Sequence, residues 1–125
     1  MAAEAPILVV DDDPAIRATV AEILELEGYP VETAPNGAAA LEAVRRRRPA
    51  LVLLDMRMPV LDGWGFAREL AEQGIDLPIL VMTAARSASV WAEEIGAAGY
   101  VSKPFDLTEL LSAVERLRRQ RSGRT

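Results

Sequence analysis

The 125-residue chain contains no cysteine and no histidine. The first absence excludes disulfides and thiolate sites, and it makes a reducing, cytoplasmic compartment the natural home. The second excludes the usual zinc sites and imidazole-based acid–base catalysis. No apolar stretch approaches the roughly 20 residues that a membrane span requires. The opening Met-Ala-Ala-Glu-Ala lacks the basic start and apolar core of a secretory signal. Positive charge is the scarcer sign: 14 basic against 19 acidic residues give a net charge of −5, which disfavours unspecific binding to nucleic acid. Lysine occurs at a single position, Lys103. The basic runs Arg45 to Arg48 and Arg116 to Arg124 follow amphipathic patterns and read as solvated C-terminal helix ends. Any chemistry must therefore run on carboxylate, hydroxyl and amine groups.

What is present is an ordinary globular composition, half hydrophobic, in a chain the size of one domain. Five short apolar runs punctuate it. Ile7-Leu8-Val9-Val10 stops at Asp11-Asp12-Asp13, Leu51-Val52-Leu53-Leu54 at Asp55, Ile79-Leu80-Val81-Met82 at Thr83, and Tyr100-Val101-Ser102 at Lys103-Pro104. Val31-Glu32-Thr33-Ala34 ends on nothing reactive. Between the runs lie stretches of helical period. Asp13-Pro14 reads as cap and first position of a helix with Ile16, Val20, Ile23 and Leu24 on one face and Gly28 as its stop. Asn36-Gly37 opens a second helix carrying Leu41 and Val44 and ended by Pro49. Asp62-Gly63 opens a third, with Phe66 and Leu70 buried and a stop before Gly74. Ala88, Trp91, Ala92 and Ile95 mark a weaker fourth before Gly96. Asp106 with Glu109 resembles a capping box ahead of the stripe Leu107, Leu110, Leu111, Val114 and Leu117.

This (βα)5 alternation implies an α/β doubly wound sandwich with a five-stranded parallel sheet. The wholly apolar runs at 7–10, 51–54 and 79–82 suit strands buried on both faces. Glu32, Thr33 and Ser102 make the other two runs edges, which gives the flavodoxin-like order 2-1-3-4-5. That order puts the switch point beside Asp11, Asp12 and Asp55, where open parallel sheets bind ligands. One domain spans 1–119, and 120–125 reads as a disordered tail or the start of a linker.

Two or three carboxylates converging without a cation would repel and raise one another's pKa. A hard divalent ion resolves the conflict, with Mg²⁺ as first candidate and Mn²⁺ as second. Asp13 most simply caps its helix and points elsewhere. Asp55 is the expected nucleophile, since a carboxylate can attack phosphorus to form an acyl phosphate. Lys103 would offset phosphoryl charge as a compact ammonium; a random surface cation in this chain would have been arginine. The Thr83 hydroxyl and the Ala84 amide are further donors, although a strand-end threonine is commonly a turn former. Tyr100 admits plain edge packing. Trp64 and Trp91 read as core or rim packing rather than as partner contacts.

The segments ILVVDDDP, LVLLDMRMPVLDGWGF, ILVMTA and GYVSKPF, in this order, resemble the receiver domain of bacterial two-component response regulators over about residues 6–119. The resemblance implies that Asp55 accepts a phosphoryl group from a phosphohistidine on a sensor histidine kinase or histidine phosphotransfer protein, with acetyl phosphate as a small alternative donor. It implies Mg²⁺ held by Asp12 directly, by Asp11 mainly through water, by Asp55 and by the Arg57 carbonyl. Lys103, Thr83 and the Ala84 amide would hold phosphoryl oxygens. Thr83 and Tyr100 would be a switch pair that remodels the surface of the fourth helix, fifth strand and fifth helix toward an unknown downstream protein or a phosphorylation-dependent homodimer. No separate enzymatic turnover, direct nucleic-acid contact or membrane contact is implied. The interval from Thr83 to Lys103 is shorter than in the commonest members, which predicts a curtailed approach to the fourth helix. Arg57 and Ala85 stand where side chains border the phosphoryl site, and Ala85 has no group to orient water, which predicts slow loss of phosphate.

Competing readings are weaker. Aspartate-nucleophile phosphatases resemble Asp-x-Asp, whereas Arg57 holds the second position here. A phosphorylation-independent receiver would not need its full set of acidic and basic groups. A nucleotide-binding α/β domain would need a glycine-rich loop after the first strand. The tail suits either a stand-alone regulator, the favoured expectation, or a stub leading to an effector domain.

Overall fold

The computed structural model describes residues 5–84 and 87–122. Strands and helices alternate strictly: β1 (Ile7–Val10), α1 (Pro14–Leu26), β2 (Val31–Ala34), α2 (Gly37–Arg46), β3 (Leu51–Leu54), α3 (Gly63–Glu72), β4 (Ile79–Thr83), α4 (Ala88–Glu94), β5 (Gly99–Ser102) and α5 (Leu107–Ser122). All four strand pairings are parallel and the order is β2-β1-β3-β4-β5. The doubly wound expectation is met, with the polar runs at the two edges.

Side chains alternate across a strand, so each interior strand feeds two cores. Ile7 and Val9 pack with Val20 and Leu24 of α1 and with Leu110, Val114 and Leu117 of α5. Leu8 and Val10 pack with Leu41 and Val44 of α2, Phe66 and Leu70 of α3, and Ala92 of α4. Ile16 and Ile23 are only partly buried against the first of these layers. Leu107, expected in the buried stripe of α5, is instead 52% exposed, because it sits at the helix's first position, ahead of the turn that reaches the sheet.

The helix starts follow the sequence signals. Asp13 accepts from the N–H groups of Ala15 and Ile16, Asn36 from Ala39, Asp62 from Gly65 and Asp106 from Glu109. Gly28 ends α1 at a φ of 92°, a conformation that favours glycine. α2 ends at Arg46, before Pro49. α4 is the shortest helix, at 7 residues, and its N-cap Ser87 makes no side-chain cap bond. α5 stays helical through Ser122, so residues 120–122 of the expected tail are ordered as helix; 123–125 lie outside the described residues. No described helix is long and apolar enough to cross a membrane.

The connection from β3 to α3 is held at several points. The Gly63 N–H donates to the Met56 carbonyl at 2.9 Å, and the Gly37 N–H of α2 donates to the Leu61 carbonyl at 2.9 Å. Between these anchors the Leu61 N–H donates to the Pro59 carbonyl around Val60, whose φ is 73°. A β-branched residue in a three-residue turn of positive φ is strained, and Val60 is 79% exposed, so no packing offsets it. Val60→Gly is therefore expected to stabilise the protein by about 1 kcal/mol, the strain relieved exceeding glycine's entropy in the unfolded chain. A rise in the thermal midpoint would bear this out, and a fall would refute it.

Candidate functional site

The parallel register brings four strand ends to one edge. Asp11 follows β1, Asp55 follows β3, Thr83 closes β4 and Lys103 follows β5. Backbone bonds fix them there: the Asp55 N–H donates to the Val10 carbonyl at 2.9 Å, and the Lys103 N–H to the Thr83 carbonyl at 2.8 Å. The Lys103–Pro104 peptide is cis.

Carboxylate oxygens of Asp11, Asp12 and Asp55 all lie within 4.8 Å of one another. Asp11 is fully buried, Asp55 nearly so, and Asp12 is exposed. Asp13, as expected, is turned to its capping role. The Lys103 ammonium lies 2.7 Å from Asp11 and 3.8 Å from Asp55. Asp11 also accepts the Asp13 N–H at 2.9 Å, and its carbonyl accepts from the Arg17 guanidinium at 2.8 Å. Such a set of oxygen donors on three carboxylates could hold a hard metal ion, not a thiolate- or imidazole-seeking one.

Burial pushes the Asp55 carboxyl up from 3.8 to about 6. Lys103 opposes the rise, the neighbouring charges of Asp11 and Asp12 add to it, and the Arg57 backbone N–H, which donates to Asp55, opposes it again. Asp55 opens into a cleft of about 370 Å³ lined by Asp55, Arg57, Thr83, Ala84 and Lys103. The cleft thus brings Asp55, Lys103, Thr83 and Ala84, four residues expected at the site, to one place. Tyr100 is not among its lining residues and stands 49% exposed on edge strand β5. Ala85 lies outside the described residues. A neighbouring apolar groove of about 530 Å³, between α1 and the start of α5, shares Ala84 and Lys103 with the cleft.

One cluster was not legible from sequence. The Arg57 guanidinium lies over the Trp91 ring, 5.2 Å from its centroid, and Trp91 meets Trp64 edge-on at 4.9 Å. The Trp64 indole N–H donates to Glu94 at 3.0 Å. Both tryptophans are rim residues, as expected, but their pairing with Arg57 and Glu94 spans three separate segments. The only sequence signal was two tryptophans in a chain poor in aromatics.

Residues 7–115 match the response regulator receiver domain. The chain is 47% identical over 118 residues to response regulator MprA of Mycobacterium sp. (strain KMS), covering 93% of this chain and 51% of that protein. It is likewise 47% identical over 116 residues to response regulator MprA of Mycobacterium leprae (strain TN), covering 91% of this chain and 51% of that protein. The chain thus spans about half the length of these curated relatives. Among solved structures, chemotaxis protein CheY4 of Vibrio cholerae superposes with a TM-score of 0.83 at 34% identity, covering 92% of this chain and 99% of that one. A CheY-like receiver domain protein of Methanospirillum hungatei JF-1 gives 0.88 at 26% identity, covering 98% and 100%.

Proposed function

Because this chain belongs to the response regulator receiver domain family, we propose that Asp55 is its phosphoryl acceptor in two-component signalling. The observation that carries the reading is the cluster of Asp11, Asp12 and Asp55 with Lys103 between two of its carboxylates. An Asp55 oxygen attacks phosphorus, the new P–O bond forms as the donor's P–N or P–O bond breaks, and the electron pair leaves with the imidazole or the acetate. Positioning and charge neutralisation dominate such transfers. Asp11, Asp12, Asp55 and the Arg57 carbonyl would hold Mg²⁺, which when bound neutralises charge on the phosphoryl oxygens. Lys103 neutralises the same charge from the other side, while the Thr83 hydroxyl and Ala84 amide donate to the remaining oxygens.

A protein donor, a sensor histidine kinase or histidine phosphotransfer protein, suits the apolar groove that opens beside the cleft. Acetyl phosphate would serve as a small donor. The half-exposed Tyr100 ring turns inward as Thr83 moves toward phosphate, which changes the α4–β5–α5 surface for a downstream protein or a second copy. The protein acts in the cytoplasm and catalyses its own phosphorylation and dephosphorylation without turning over a separate substrate. With Ala85 unable to orient water, the acyl phosphate is long-lived. Borohydride reduction after incubation with acetyl phosphate and Mg²⁺ tests the acceptor: residue 55 should be recovered as homoserine. Conversion at another aspartate, or none, would overturn the assignment.

A further inference from the structure

Arg57 is bound at both ends. Its backbone N–H serves the Asp55 carboxylate, and its guanidinium lies over Trp91 of α4. Trp91 in turn contacts Trp64 of α3, and Trp64 reaches back to Glu94 of α4. This chain of contacts matters for α4, because that helix has 7 residues and no side-chain cap at its start. Its placement therefore depends on what its side chains touch.

Arg57 also lines the acceptor cleft, beside Thr83, Ala84 and Lys103. A phosphoryl anion on Asp55 would offer the guanidinium two oxygens in the fork geometry that arginine matches best. The side chain is exposed, so its attraction to the indole face is the weaker interaction. Over Trp91 the guanidinium makes no ion pair with the Asp55 carboxylate among the described residues.

We propose that Arg57, Trp91, Trp64 and Glu94 form a latch in which the occupied acceptor cleft and helix α4 compete for one guanidinium. The inference rests on the proposed function and adds its regulation. In the empty state Arg57 caps Trp91 and helps fix α4. When a phosphoryl group arrives, the guanidinium moves to it, and α4 loses one of its side-chain contacts. Trp91 thereby holds Arg57 away from the anion, so Trp91 is a positioning residue that opposes occupation.

A double-mutant cycle tests this on the full chain, with fluoroberyllate and Mg²⁺ as the phosphoryl probe and calorimetry as the readout. Trp91→Leu is expected to tighten binding by about 2–5-fold, the fold-change that loss of an exposed cation–π contact corresponds to. Arg57→Ala should weaken binding, and in that background Trp91→Leu should change nothing. An equal effect of Trp91→Leu in both backgrounds would overturn the latch. The Trp64 indole N–H resonance gives a readout in the unmutated tryptophan pair: it should shift on probe binding in the parent chain and stay in place in Arg57→Ala. Binding without that shift overturns the latch alone. No binding by the parent chain overturns both the latch and the acceptor assignment.

Discussion

Asp55→Asn is expected to abolish phosphoryl uptake and yet, in metal-free buffer at pH 8, to make the protein more stable by about 1–3 kcal/mol. Burial raises the Asp55 carboxyl from 3.8 to about 6, so the fold favours its protonated form. The stability this contributes is full below pH 3.8 and is lost as pH rises through about 6. Above that pH the protein carries a charged carboxylate in a nearly buried position next to Asp11 and Asp12. Lys103 offsets only part of this, since its shorter contact is with Asp11. Asparagine removes the charge and keeps the shape. The ceiling is about 3 kcal/mol at 1.36 kcal/mol per pH unit. Urea midpoints of the parent and the variant in EDTA should coincide near pH 4, separate between pH 4 and 6, and stay apart above. Mg²⁺ should narrow the gap, because a ligand that binds only the folded state stabilises it. A variant less stable than the parent at pH 8 would show that the site does not strain its acceptor.

The second large effect comes from glycines with no unusual φ. Gly63 and Gly37 sit in the first turns of α3 and α2, where alanine gains up to about 1 kcal/mol in helix propensity. Space decides otherwise. A Cβ on Gly63 would lie 2.8 Å from the Met56 Cα and 3.1 Å from the Asp55 carbonyl oxygen. On Gly37 it would collide with the Leu61 carbonyl oxygen. Both obstacles are backbone of the connection that follows Asp55, and backbone cannot rotate aside. Gly63→Ala is expected to cost about 2–3 kcal/mol and to slow phosphoryl uptake by moving the acceptor. Gly65→Ala is the control: its Cβ would meet the Leu61 side-chain tip, which can turn away, and the cost should stay below about 1 kcal/mol. Equal losses for Gly63→Ala and Gly65→Ala would contradict this reading.

Sequence patterns reached most of this architecture because parallel strands buried on both faces must be apolar throughout, and edges need not be. The order of β2-β1-β3-β4-β5 then follows from Glu32, Thr33 and Ser102. The gathering of Asp11, Asp55, Thr83 and Lys103 at one edge was legible in the same way, since each stands at a strand end and all strands of a parallel sheet point one way. Contacts between side chains from distant segments were not accessible. Nothing local couples Arg57 to Trp91 or Trp64 to Glu94. The exposure of Leu107 was missed because helical periodicity assigns a face without saying where the sheet begins. The close approach at Gly63 likewise depends on where Met56 passes, which sequence spacing does not define.

The central claim is that Asp55 takes one phosphoryl group with the help of a divalent cation held by its neighbours. Intact mass after incubation with acetyl phosphate tests it most directly, with and without Mg²⁺ and beside Asp55→Asn. The account predicts one added phosphoryl group in the parent chain with Mg²⁺, and none in EDTA or in the variant. An adduct that persists in Asp55→Asn, or that forms equally well in EDTA, would contradict it.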